Sequence, residues 1–194
     1  MSNILTAKVT IRGTKPLIWH AFGPWVIPAD GKKEKSGVAG NDPTEWKKSF
    51  LATPQGQLFV KPSYIFGCFR DGAKYTKRGR GSLITYVSAC LNVDDDIILI
   101  DRFVPENPQM DESQETYIDV SGVRNPVTKA RNIRYRLATK KGWRATFQIS
   151  WDKTIISRGE MEAVVRDSGK LCGLGDGRSV GNGRFDVESF TVEE

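Results

Sequence analysis

The stretch WRATFQISWDKTIISRGEMEAVV, residues 143–165, decides the fold because it predicts a strand followed directly by a capped helix. Apolar side chains alternate with polar ones from Trp143 to Trp151, which is typical of a strand with one buried face. Ser157-Arg158-Gly159-Glu160 is a capping box, so a helix begins there. Gly169 is predicted to end this helix. Its buried face would consist of Met161, Val164, Val165 and Ser168.

Further strands are predicted on both sides of this unit. Residues 5–11 alternate between apolar and polar side chains near the N-terminus, and residues 133–137 do so just before Trp143. The segment 139–142 would join residues 133–137 to the strand from Trp143 as a hairpin, with Gly142 supplying a positive φ. A last strand is predicted over residues 184–192, and its alternation slips near Ser189, where a bulge would fit.

The segment between the first strand and this hairpin predicts a second helix of the core. Residues 57–60 favour a short strand, and Pro62-Ser63 favours a helix start with Ser63 as the cap. Apolar residues recur at helical spacing from Ile65 to Ala73, and the run from Leu83 to Leu91 also fits helical spacing.

The predicted order is strand, helix, strand, strand, helix, strand. This is the βαββαβ pattern of a ferredoxin-like α+β fold, which RNA-recognition domains share. Its antiparallel sheet carries both helices on one face. We therefore predict one domain over residues 1–194, with insertions at about residues 12–56 and 77–129.

The charges are strongly segregated along the chain. The net charge is +6, yet residues 94–119 hold nine acids and one base, so this segment is −8 and the rest of the chain is +14. Residues 120–151 contain no acid and eight bases. A block of one sign favours a polyanionic partner, although a solvated basic face gives the same composition.

Composition argues against several classes of protein. The three cysteines, Cys68, Cys90 and Cys172, are widely spaced, and His20 is the single histidine. A structural zinc site needs about four clustered ligands, so we expect no metal and no cofactor. The sequence contains neither a long apolar run nor a signal-peptide pattern, so we expect no membrane partner and a cytoplasmic location.

The segment GLGDGRSVGNG, residues 173–183, lies between the last predicted helix and strand and contains five glycines. Glycines let main-chain N–H groups approach an anion closely, and successive N–H groups form anion-binding nests. Arg178 and Arg184 add positive charge. A nucleotide-binding P-loop is excluded because no Gly-Lys-Ser/Thr occurs and a strand follows where a helix should begin. A glycine-rich linker without a ligand stays open as an alternative.

Two motifs resemble a known family. Gly173-Leu174-Gly175, five residues that include Arg178, and then Gly181-Asn182-Gly183 resemble the C-terminal glycine-rich loop of the RAMP superfamily, the RNA-binding proteins of CRISPR systems. Asn182 departs from the pattern, where the family usually has an apolar residue. The segment VKPSYIFGCFR, residues 60–70, is similar to one in the CRISPR backbone subunits that polymerise along guide RNA. Together with the core elements, the resemblance covers about half of the chain.

The resemblance implies a binding protein rather than an enzyme. It would coat single-stranded guide RNA as a repeating subunit of an effector complex, beside other copies of itself, other CRISPR effector subunits and the target nucleic acid. The acidic segment 94–119 would then face a basic surface of the next copy, or it is simply a solvated loop. The residues expected to bind RNA are Lys61, Ser63, Arg70, Lys74, Lys77, Arg78, Arg80, Gly173, Gly175, Gly177, Arg178, Gly181, Gly183 and Arg184.

Two alternatives remain open at this point. Repeat-cleaving endoribonucleases of the same superfamily use a histidine without a metal, and His20 is the candidate. A target-cleaving variant would place an aspartate near the RNA, for which Asp30 and Asp42 are candidates. The second alternative is a phage-encoded protein of this fold that coats single-stranded nucleic acid or inhibits a CRISPR complex.

Overall fold

The computed structural model describes residues 2–21, 42–124, 127, 129 and 131–193. Three helices and eleven strands are numbered here in chain order. The helices are α1 (Pro62–Gly72), α2 (Ile84–Cys90) and α3 (Arg158–Leu171). The strands are β1 (Ile4–Gly13), β2 (Leu17–Ile18), β3 (Gln57–Val60), β4 (Lys77–Arg78), β5 (Gly81–Ser82), β6 (Asn92–Val93), β7 (Ile98–Phe103), β8 (Thr116–Arg124), β9 (Arg131–Thr139), β10 (Arg144–Asp152) and β11 (Phe185–Glu193).

The main sheet has the strand order β11-β1-β10-β7-β3, and β6 pairs with β10 beside β7. Read along the chain, its core is β1, α1, β7, β10, α3 and β11. This is the predicted ferredoxin-like βαββαβ arrangement, with the fourth core strand beside the first and the third beside the second. The helices α1 and α3 pack on each other over the buried face of the sheet.

The identity of the second core strand differs from the prediction. Residues 133–137 belong to β9, which pairs with β8 from Thr116↔Thr139 to Arg124↔Arg131 and with β2, not with β10. The core position is taken by β7, whose Ile98 and Ile100 are fully buried. The predicted hairpin is therefore wrong, although Gly142 has the expected positive φ of 97°. The predicted insertion 77–129 likewise contains a core strand.

The local signals around β10 and α3 are confirmed. Trp143, Phe147 and Trp151 are buried, as is the predicted face of α3 from Met161 to Ser168. Ser157 and Glu160 form the capping box. However, α3 continues through Gly169 to Leu171, so Gly169 does not end the helix. A glycine is needed there because a Cβ would lie 2.3 Å from the carbonyl oxygen of Phe185.

The structure also bears on three further local predictions, which concern α1, the last strand and α2. Lys61 is the residue before the first turn of α1 and Pro62 occupies that turn, so Ser63 is not the cap. The bulge in the last strand is present, because Thr10 pairs with Ser189 while Ile11 pairs with Val187. Residues 84–90 form α2, as their helical spacing predicted.

β8 and β9 form a two-stranded arm, which we define as residues 116–124 and 131–139. Its inner half is buried against the domain, whereas its outer half is exposed or half-buried and ends at Arg124 and Arg131. The outward face of β1 and β10 carries polar side chains between Thr6 and Arg12 and between Arg144 and Asp152. These strands therefore lack the exposed aromatic rings on which RNA-recognition sheets stack bases.

No helix in the described part of the chain is both long and apolar enough to cross a membrane.

Candidate nucleic-acid interface

The glycine-rich loop, residues 173–183, is a closed structure anchored to the start of the chain. The N–H of Gly183 donates to Pro16 O at 2.6 Å, and that of Asp176 donates to Ile18 O at 2.8 Å. The loop is also closed on itself, because Leu174 N donates to Gly183 O at 2.9 Å. All five glycines have φ between 69° and 92°. The glycines are therefore needed for the shape of the loop.

This closure changes the role expected for the main-chain N–H groups. Eight of the loop's N–H groups donate to protein acceptors. Within the described structure, the N–H groups of this loop without a protein acceptor are those of Gly175, Arg178 and Ser179. Only Arg178 and Ser179 offer two successive N–H groups in the loop, so side chains would supply most contacts to an anion.

Two adjoining depressions meet at the loop, and we call them together the loop cleft. The larger has a volume of about 780 Å³ and lies between the end of α1, the loop and the arm. The smaller, of about 240 Å³, lies between the loop and the start of α1 and contains Ser63. They share the wall residues Gly175, Asp176 and Arg178. The cleft thus runs across the loop, past both ends of α1.

A cluster of three cations surrounds Asp71 at the edge of the larger depression. Arg70 Nη2 lies 3.1 Å from Asp71 Oδ1, Lys74 Nζ lies 3.6 Å from the same oxygen, and Arg178 Nη1 lies 3.3 Å from Oδ2. Burial opposes ionisation of Asp71, but Arg70 and the other cations lower its pKa below the usual value. Three positive charges against one negative leave the cluster at +2. Three predicted RNA-binding residues therefore meet at one site.

Arg136 of β9 joins the arm to the glycine-rich loop through Asp176. Its side chain is almost fully buried, donates to Asp176 of the loop and to Ser121, and lies 2.9 Å from Asp119 Oδ2. Burial raises the pKa of Asp176, but hydrogen bonds from Gly177 N and Arg136 outweigh this and lower it overall. The Nε atom of Arg136 is buried without a hydrogen-bond partner in the described structure. This residue was not among the predicted site residues.

His20 lines the smaller depression, beside Ser63 and Tyr64. Its Nδ1 lies 4.0 Å from Asp176 Oδ2, and its side chain is 39% exposed. Asp42 instead accepts hydrogen bonds from the N–H and hydroxyl of Thr44, at 2.9 and 2.6 Å, and these bonds lower its pKa. That carboxylate therefore stabilises the turn at Thr44. Asp30 lies outside the described residues.

Other predicted binding residues lie away from the cleft. Lys77, Arg78 and Arg80 belong to the β4–β5 hairpin, where Arg78 binds both carboxylate oxygens of Glu160 at 2.7 and 2.6 Å. Glu160 lies in the first turn of α3, and the loop follows its last turn. At about 1.5 Å per residue, α3 separates Glu160, and with it the guanidinium of Arg78, from the loop by roughly 16 Å. Arg78 therefore has a structural partner at a distance from the loop.

Two further predicted residues lie beside the cleft. Arg184 donates to Lys170 O at 2.7 Å and so joins the two ends of the loop. Lys61 is exposed and immediately precedes α1.

The acidic segment 94–119 divides into two parts. Several of its acids serve the fold: Asp95 accepts from Gln148 N, Asp101 accepts from Arg144 N and Asp119 pairs with Arg136. Glu106, Asp111, Glu112 and Glu115 lie exposed in the connection between β7 and β8. Asp94, Asp96 and Asp101 are exposed as well, so residues 104–115 carry four of the segment's seven exposed acids.

The described residues contain no group of three or more His, Cys, Asp or Glu side chains able to hold a metal ion. Cys68, Cys90 and Cys172 are free thiols.

Comparison with known proteins finds similarity in structure alone. No protein-family model matches the chain, and no curated protein matches its sequence. Among solved structures, it is similar to a chain in the cryo-EM structure of the Type III-B Cmr-beta bound to cognate target RNA. The TM-score is 0.55 at 14% sequence identity, and the match covers 98% of this chain and 61% of that chain. This chain therefore shares its fold with that protein and spans about three fifths of its length.

Proposed function

We propose that this protein binds single-stranded RNA in the loop cleft and belongs to the RAMP superfamily of CRISPR-associated proteins. The observation that carries the proposal is the meeting of Arg70, Lys74 and Arg178 with the glycine-rich loop at one exposed cleft. Arg70 and Arg178 were predicted from two motifs far apart in sequence, and Lys74 from the basic run that follows the first motif. The structural similarity to a chain of an RNA-bound CRISPR complex supports the same function.

Within this function, the protein coats guide RNA as a repeating backbone subunit of an effector complex. The exposed acids in residues 104–115 and the bases at the outer end of the arm have opposite signs and lie in different parts of the domain. Head-to-tail contact between copies would bring such surfaces together. In this arrangement, the arm and the acidic connection contact neighbouring copies, and the loop cleft holds the RNA backbone.

The first prediction concerns the salt dependence of RNA binding. Lys74→Ala and Arg178→Ala should each weaken binding of a fluorescein-labelled single-stranded RNA about tenfold, as expected for loss of a charge-assisted contact. Each should also reduce the slope of log K against log salt by about 0.7, because one fewer phosphate is neutralised. Fluorescence anisotropy of the full chain at several salt concentrations measures both quantities.

The matched control is Lys8→Ala, which removes an exposed lysine from the outward face of β1. It should leave both affinity and slope close to those of the parent protein. Equal losses in all three variants would mean that the cleft is not the binding site. If the parent protein binds no RNA at low salt, the proposed function is wrong. The length of any co-purified RNA and its number of bound copies test the repeating arrangement.

A second candidate function is RNA cleavage, which the position of His20 in the smaller depression favours. A metal-independent cleavage needs a base near the 2′-OH of the RNA, and an exposed imidazole beside the binding loop meets that need. Incubation of the same RNA with the parent protein and with His20→Ala distinguishes the two functions. Cleavage that disappears in the variant would favour the nuclease, and intact RNA with both proteins favours the binding protein.

A further inference from the structure

Tyr75 has an exposed ring on a fixed backbone at the edge of the larger depression. Its side chain is 55% exposed. The residues around it are anchored: Ala73 is fully buried, Tyr75 N donates to Gly72 O at 2.9 Å, and the hydroxyl of Thr76 donates to Asp167 at 2.7 Å. A tyrosine has two side-chain torsions, so ordering this ring against a ligand costs little entropy.

The surroundings of Tyr75 combine apolar surface with positive charge. Leu171, Val180 and Val123 line the same depression and are 44%, 79% and 41% exposed. Gly122 of β8 lines it too, and a Cβ added there would meet no atom within 4 Å. Lys74 precedes Tyr75 and belongs to the cation cluster around Asp71. The depression therefore places an aromatic ring and apolar side chains beside the proposed contacts to phosphate.

We propose that Tyr75 stacks on a nucleobase of the RNA whose phosphates contact Lys74 and Arg178. This inference rests on the proposed function and adds the base-contacting residue. Proteins that bind single strands without sequence preference combine a basic track with aromatic rings on which bases stack. Tyr86 of α2 is also exposed, but the guanidinium of Arg78 lies over its ring at 4.5 Å from the centroid. Its ring is therefore less available to a nucleobase than that of Tyr75.

The test compares Tyr75→Ala, Tyr75→Phe and the control Tyr86→Ala in binding to a labelled single-stranded RNA and to the same oligonucleotide with abasic sites. Tyr75→Ala should weaken RNA binding about five- to hundredfold, the range for loss of one stacked base. Tyr75→Phe and Tyr86→Ala should bind nearly as the parent does. The salt slope should stay constant in Tyr75→Ala, because no phosphate contact is lost. On the abasic oligonucleotide, Tyr75→Ala should equal the parent.

The possible failures are distinguishable. If Lys74→Ala and Arg178→Ala weaken binding but Tyr75→Ala does not, the stacking inference is wrong and the proposed function stands. An equal loss with Tyr75→Ala on normal and abasic RNA also overturns stacking. Absence of RNA binding by the parent protein overturns both. Because Tyr75 is exposed, its variants should keep the parent's melting temperature, and thermal unfolding checks that each protein compared is folded.

Discussion

Gly183→Ala is expected to lower the free energy of unfolding by about 3–5 kcal/mol and to abolish RNA binding in the loop cleft. Gly183 has a φ of 72°, a backbone conformation that alanine adopts at a cost. A Cβ there would also lie 1.8 Å from the carbonyl oxygen of Leu174. Because this oxygen belongs to the backbone, no side-chain rotation can remove the clash. The loop must therefore open, and its bonds to Pro16 and Leu174 would be lost.

Gly67→Ala is the matched control. Gly67 lies inside α1 at the wall of the smaller depression, and a Cβ there would meet no atom within 4 Å. Alanine is favoured over glycine within a helix by about 1 kcal/mol, so this variant should be as stable as the parent or more so. Urea unfolding followed by circular dichroism measures the free energy of unfolding of both variants. A Gly183→Ala protein as stable as the parent would show that the loop is not closed in the way described.

The elements with strong local signals were predictable from the sequence. The strand from Trp143 to Trp151 alternates without interruption, and the capping box at Ser157 marks the start of α3. The glycine-rich loop was also predictable in position, because it joins that helix to the last strand. Its internal bonding was not, since the acceptors Pro16 and Ile18 lie far away in the sequence.

The exchange of β7 for β9 has a physical reason. Residues 133–137 alternate as clearly as a core strand does, yet Ile133 is 39% exposed. The run from Ile98 to Ile100 is short and flanked by acids, so its burial depends on pairing with strands distant in sequence, β3 and β10. Alternation shows that a segment is a strand but does not say which sheet it joins.

The residues of the loop cleft were only partly predictable from the sequence. Arg70 and Arg178 could be named because they lie in the two motifs. Lys74, Lys77, Arg78 and Arg80 were grouped with them by sequence proximity alone. In the structure Lys74 joins the cluster at Asp71, whereas Arg78 pairs with Glu160 in the first turn of α3. Arg136 could not be distinguished from its basic neighbours. Its role depends on Asp176, forty residues later in the chain.

Arg136→Met is expected to lower the free energy of unfolding by about 3 kcal/mol and to weaken RNA binding by detaching the arm from the loop. Methionine replaces the arginine side chain as far as Nε, so the packing around that part is kept. The loss arises because Asp119 and Asp176 would keep their negative charges without the guanidinium, and Asp119 is only 15% exposed. Breaking a buried ion pair by removing one partner costs about 3–5 kcal/mol, and the partial exposure of Asp176 favours the lower end.

Arg144→Met is the matched control, because it also removes an arginine from a strand but from an exposed pair with Glu188. It should cost less than about 1 kcal/mol, as surface ion pairs do. The triple variant Arg136→Met, Asp119→Asn, Asp176→Asn should recover much of the stability, because no unpaired buried charge remains. RNA binding should not recover with it, since an apolar contact does not hold the arm to the loop as the guanidinium does. If stability and binding recover together, Arg136 serves folding alone, and the arm and the loop act independently.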